Sequence, residues 1–213
     1  TDLRVKADVL KGAKLPDEIH ISGGRYALKR TVLINRFNSS SPYIVDIVDG
    51  RLMLSASGNP IAEVKYPPCP RYYDKKFEDG TLYQEVIPLR GHNLIAFNTV
   101  YRVCQFWGEK EECKFCDINW NARERGKHGI AYTRGKAYKS LEQVVEVAEE
   151  IFQREGYLPG PRPHTVFLTG GTILRKVNGK TEDEFYLSYV EAIRERIGYR
   201  TPILVQTAAK DKK

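Results

Sequence analysis

Three of the four cysteines in this 213-residue chain, Cys104, Cys113 and Cys116, follow one another with the spacing C-x8-C-x2-C. Few features restrict a fold as tightly, because thiols gathered on one loop are a metal-ligand set before they are anything else. Residues 93–103 lead into them and read as a strand, so the cysteines are expected on a loop at a strand's carboxyl end. A structural zinc site usually takes four protein ligands. A cluster held by only three protein ligands keeps one iron open for chemistry.

The rest of the composition narrows the setting. At 41% hydrophobic and 29% charged, the chain is expected to be soluble and globular, with length for one large domain or two small ones. No apolar run reaches the length of a membrane span, and the chain does not open on a signal peptide. A net charge of +7 suits an anionic substrate or partner, but it is too modest to give nucleic acid much weight. Four cysteines in a chain this long are not a disulfide framework, and clustered ligand thiols point to a reducing cytoplasm. The chain begins at Thr1 and ends just after an apolar run, so it is expected to be a piece of a longer protein.

Residues 2–13 read as a short helix ended by Gly12, and Pro16 then breaks the chain. From Thr31 the apolar period changes to two. Residues 31–37, 43–48, 51–55 and 61–66 read as strands, with Asp49-Gly50 as a hairpin turn and Ser57-Gly58-Asn59-Pro60 as another. Residues 25–66 are therefore expected to form a small antiparallel meander inside a β-rich N-terminal domain, residues 1–88. Pro67-Pro68-Cys69-Pro70 cannot continue a strand and reads as a linker or an edge crossing.

After Gly91 strand and helix alternate. The strand at 93–103 is followed by a long loop, then by a helix opened by a capping box of Ser140 and Gln143. Leu141, Val144, Val145, Ala148, Ile151 and Phe152 mark its apolar face, and Gly156 ends it. A strand at 164–169 runs into Gly170-Gly171-Thr172. Thr181 and Glu184 open a second helix, with Phe185, Tyr186, Tyr189, Val190, Ile193 and Ile197 on its stripe and Gly198 at its end. Residues 202–207 make a third strand. Near-continuous apolar strands alternating with helices imply right-handed βαβ units and a parallel sheet. In such sheets function collects at the carboxyl ends of the strands, where the cysteine loop and Gly170-Gly171-Thr172 both lie.

A cysteine trio after the first strand, an aromatic (Phe115) just before its last cysteine, and a Gly-Gly-x turn after the second strand resemble the radical S-adenosylmethionine (SAM) superfamily. The resemblance covers about residues 90–210. The last gap, Cys113-Lys114-Phe115-Cys116, keeps the family pattern, whereas the first gap is longer than its commonest C-x3-C form. The resemblance implies a partial (β/α) barrel of radical SAM type over residues 89–213, comprising the first three βα units and preceded by the small antiparallel β-rich domain. It implies that Cys104, Cys113 and Cys116 hold three irons of a [4Fe-4S] cluster and that the fourth iron binds the methionine part of SAM. Phe115 would lie beside the adenine, and Gly170, Gly171 and Thr172 would offer carbonyls to the SAM amino group. Thr172 stands where the family often has Glu, so no side-chain role carries over to it. Gln206 and Thr207, at the end of the third strand, would face the same cavity. Reductive cleavage of SAM would then start hydrogen abstraction from a substrate, fed by a low-potential donor such as ferredoxin or flavodoxin. Gly171→Val is expected on this reading to weaken SAM binding and leave the cluster intact.

Other readings of the same residues stay open. A zinc site could use Cys69 or His128 as fourth ligand and stabilise a nucleic-acid or protein binding module. A degenerate relative could keep the cluster for structure alone. His92, His128 and His164 receive no role. Arg123, Arg125, Lys127, Arg134, Lys136 and Lys139 make the loop after the cysteines basic; it reads first as solvated and second as an anion-binding rim.

Overall fold

The computed structural model describes residues 18–24, 26–34, 41–90, 95–109, 111–114, 116 and 136–208. The expected helix at 2–13, the residues Phe115, His92 and His128, and the basic residues Arg123, Arg125, Lys127 and Arg134 lie outside them. The chain divides into two compact units, between Pro68 and Cys69. The break falls inside the proline-rich linker, not after residue 88.

The first unit is one antiparallel sheet. Its strands are β1 (Glu18–Gly23), β2 (Leu28–Ile34), β3 (Tyr43–Val48), β4 (Arg51–Ala56) and β5 (Asn59–Lys65), in the order β2-β1-β5-β4-β3. The hairpin read from Asp49-Gly50 is present: Val48 pairs with Arg51, and both turn residues have positive φ, 49° and 73°. That conformation matches the twist of the flanking strands, and Asp-Gly adopts it readily. The expected turn at 57–60 is shorter, because Asn59 and Pro60 already pair with Ala56 and Ser55. The sheet is not a simple meander. The strand β1, unread in the sequence, inserts between β2 and β5. Ile19 and Ile21 of β1 alternate inward and join Leu54, Ala62 and Val64 in a small core on one face of the sheet.

The second unit is α/β. Its sheet runs β6 (Leu89–Arg90), β7 (Ile95–Tyr101), β8 (Thr165–Gly170) and β9 (Ile203–Val205), in that spatial order. The short β6 is antiparallel to β7, whereas β7, β8 and β9 are mutually parallel, as the alternating pattern predicts. Its helices are the single turn α1 (Tyr83–Val86), α2 (Leu141–Phe152) and α3 (Glu182–Ile197). Ala96, Val100, Val166 and Leu168, alternate residues of β7 and β8, are buried with Val144, Ala148 and Ile151 of α2 and with Phe185, Tyr189 and Ile193 of α3. On the opposite parity Phe97 and Phe167 are half-buried and meet edge to face at 5.4 Å. Among the described residues no helix is long and apolar enough to cross a membrane.

Residues 69–88 belong with this unit for a physical reason. Tyr72, Tyr83, Val86 and Ile87 are buried in the same core as α2. The Tyr72 amide donates to Gly156 O at 3.1 Å, and Lys75 Nζ donates to the buried Glu150 carboxylate at 2.7 Å. Short elements rich in aromatic residues carry no periodicity, so the sequence alone does not show which core receives them.

Both helices start where their caps predict. Ser140 Oγ accepts from the Gln143 amide at 3.4 Å, but the Gln143 side chain turns away to Asp79 Oδ2 at 3.1 Å, so only half of that box forms. At α3 the reciprocal arm is made, with the Thr181 amide donating to Glu184 Oε2 at 2.8 Å. The helix α2 ends at Phe152, ahead of Gly156. Ser140→Ala is expected to cost about 1 kcal/mol, the usual worth of an N-cap. Urea unfolding should show it as a lower midpoint with an unchanged slope.

Candidate metal centre

Parallel pairing sets Tyr101 at the end of β7 opposite Gly170 at the end of β8, so the two following loops leave the same edge of the sheet. They are locked together backbone to backbone. The Gly171 amide donates to Tyr101 O at 3.0 Å, and the Gln105 amide donates to Thr172 O at 3.1 Å. The Thr172 amide donates to Cys104 Sγ at 3.3 Å. Gln105 Oε1 accepts from the amides of Leu174 and Arg175, at 2.7 and 2.5 Å.

This contact explains the glycine pair. A Cβ on Gly171 would lie 1.9 Å from Val103 O and 2.6 Å from both Cα and Cβ of Cys104. A Cβ on Gly170 would lie 2.5 Å from Tyr101 O. Glycine is required here because the cysteine loop's own backbone fills the space. Thr172 O, expected to face a ligand, is engaged by Gln105, although a carbonyl keeps a second lone pair.

Cys113 and Cys116 sit on a turn closed by the Cys116 amide donating to Cys113 O at 2.9 Å. Cys113 is exposed, while Cys104 and Cys116 are half-buried, and all are free thiols. Among the described residues no three His, Cys, Asp or Glu side chains are gathered closely enough to hold a metal ion. The structure thus ties Cys104 to the Gly-Gly-Thr turn and Cys113 to Cys116, without drawing the trio together. Cys69 joins no such group; its thiol lies 3.9 Å from Pro70 O. The donor chemistry still fits a thiolate-bound cluster. A backbone amide is aimed at the Cys104 sulfur, and hydrogen bonds to the sulfurs tune a cluster's potential.

At the third strand, the Gln206 amide donates to Leu168 O at 2.9 Å, and Gln206 Oε1 accepts from Thr169 Oγ1 at 3.0 Å. Gln206 and Thr207 are exposed. The structure therefore places Gln206 beside the end of β8, next to the Gly-Gly-Thr turn.

Sequence reasoning misses Gln105 and Glu182. Adjacency to Cys104 is the only signal for Gln105. Glu182 is the first residue of α3 and resembles an ordinary acidic residue beside a helix N-terminus, yet it is only 2% exposed. Its Oε1 accepts from the Ile173 amide at 2.9 Å, and its Oε2 accepts from the Ala208 amide at 3.2 Å. One turn further on, the Tyr186 hydroxyl is buried with no hydrogen-bond partner among the described residues. Burial pushes that phenol well up, and the Glu182 carboxylate adds to the shift. Burial also pushes Tyr101 up. Lys139, read as part of the solvated basic loop, is buried instead: its ammonium donates to Val86 O and, at 2.9 Å, to Asn98 Oδ1. Of the basic residues in that loop, Lys136 is exposed. No protein-family model, curated protein or solved structure gives a match to this chain.

Proposed function

We propose that this chain carries the first part of a radical SAM core, a partial (β/α) barrel, and belongs to an enzyme that cleaves SAM reductively to abstract hydrogen from a substrate. The observation that carries the reading is the interlock at the ends of β7 and β8. A cysteine sulfur there receives a backbone N–H from a Gly-Gly-Thr turn that only glycine can make. In α/β sheets that edge is where ligands bind.

On this reading Cys104 is held in place by the Thr172 amide and the glycine pair. Cys113 and Cys116 supply the other two thiolates by closing in as a preformed turn, and Phe115 lies between them in sequence. The bound [4Fe-4S] cluster would supply the electron that cleaves SAM. Gly170, Gly171, Gln206 and Thr207 would line the SAM side, with Gln206 oriented by Thr169. The basic composition suits an anionic substrate and an acidic low-potential electron donor of the ferredoxin or flavodoxin kind. Clustered ligand thiols suit a reducing cytoplasm.

Anaerobic reconstitution with iron and sulfide tests the reading. The expected product is brown, carries about four irons per chain as a cubane cluster requires, and shows a reduced-state EPR signal that changes on adding SAM. Cys113→Ala should abolish that iron loading, and unchanged iron would remove Cys113 from the ligand set. A colourless protein with one zinc would favour a zinc-stabilised binding module, for which the Cys113–Cys116 turn is an equally good half-site.

A further inference from the structure

We infer that Glu182 is a positioning residue that clamps the loop after β8 to the segment after β9, so that the two walls of the SAM side move as one. The inference rests on the reading above and concerns the same site. Its carboxylate is the one side chain, among the described residues, shown to accept from the backbone of both segments: Ile173 N on one oxygen and Ala208 N on the other. Ile173 directly follows Gly170-Gly171-Thr172, and Ala208 directly follows Gln206-Thr207.

The carboxylate suits this task better than any isostere. It is acceptor-only, with an oxygen for each N–H, and hydrogen bonds to a charged acceptor are roughly twice as strong as neutral ones. Its burial is tolerated because two amides and the positive end of α3 face it. A glutamine would turn a donor toward one of the two amides and keep only one bond. The other face of the same loop is already held, since Gln105 Oε1 takes the amides of Leu174 and Arg175. Glu182 thereby completes a continuous run of contacts from Cys104, through the Gly-Gly-Thr loop, to Ala208.

The full chain with Glu182→Gln tests this by three readouts: amide hydrogen exchange without added ligand, iron content after reconstitution, and calorimetric titration with SAM. Exchange at whichever of the Ile173 and Ala208 amides loses its acceptor is expected to quicken by about tenfold or more, as loss of one charge-assisted hydrogen bond implies. Iron content should equal that of the wild type, because Cys104 is held by Thr172 and Gly171. SAM should bind about tenfold more weakly. A general loss of protection across both helices with unaltered SAM affinity would mark Glu182 as merely structural and overturn the inference. So would unchanged exchange at both amides. A wild-type protein that loads iron but ignores SAM would refute the radical SAM reading, and the inference with it. A wild type that binds SAM no better than Glu182→Gln would refute the inference alone.

Discussion

Gly171→Val is expected to leave the reconstituted protein with less than half of the wild-type iron. The added Cβ would meet Val103 O at 1.9 Å and Cys104 Cα and Cβ at 2.6 Å. None of these is the free end of a flexible side chain, so the cysteine loop itself must shift. The Thr172 N–H to Cys104 Sγ contact is then lost, and one of the three proposed ligands leaves its place. Forcing atoms into a filled site typically costs about 1–3 kcal/mol, so the melting temperature should fall by several degrees as well. Gly171→Ala already carries the offending Cβ and should behave the same way. This departs from the expectation that the glycine serves SAM alone. Were that so, the alanine variant would keep its iron and lose only SAM affinity, and iron analysis separates the two outcomes.

Lys139→Met is expected to destabilise the second unit by about 2–5 kcal/mol, the cost of leaving two buried acceptors without a donor. The methionine fills similar volume, so the loss is polar rather than a cavity. Val86 O and Asn98 Oδ1 both lose their donor, and Asn98 Nδ2 is already buried with no partner among the described residues. The same lysine links three elements, because its carbonyl accepts from Tyr189 Oη of α3 at 2.5 Å. Urea unfolding should report the change in midpoint. A variant as stable as the wild type would show that this buried ammonium contributes no net stability, as sometimes happens for buried charges.

Local signals in the sequence are legible where the physics is local. The Asp49-Gly50 hairpin, the caps at Ser140 and Thr181, and the three parallel strands all follow from turn chemistry and apolar period. Strand order was not legible. Pairing of β1 with β5 joins His20 to Lys65, and no short-range pattern encodes such a partner. The burial of Tyr72, Lys139 and Glu182 was hidden for a related reason. A tyrosine in a polar stretch, a lysine in a basic run and a glutamate at a helix start all look solvated until the fold surrounds them. At the site, the adjacency of the cysteine loop and the glycine turn was legible from topology, because both follow parallel strands. The reason for the glycines was not, since it depends on how closely two backbones approach.

The parallel pairing of β7 with β8 also bears on how freely the chain between them can change in length. Both ends of that excursion are anchored to one ladder, and the entropy of closing a flexible loop grows only with the logarithm of its length. Doubling such a loop costs about 0.6 kcal/mol. Between Cys104 and Cys113 the turn Gln105–Glu109 is pinned to the Gly-Gly-Thr loop through Gln105, so the cheap place to insert residues lies after that turn. The step from Cys113 to Cys116 is not such a place, because a single backbone hydrogen bond closes it at a fixed size. A long first gap beside a short, closed second one is what polymer statistics favour on such a scaffold.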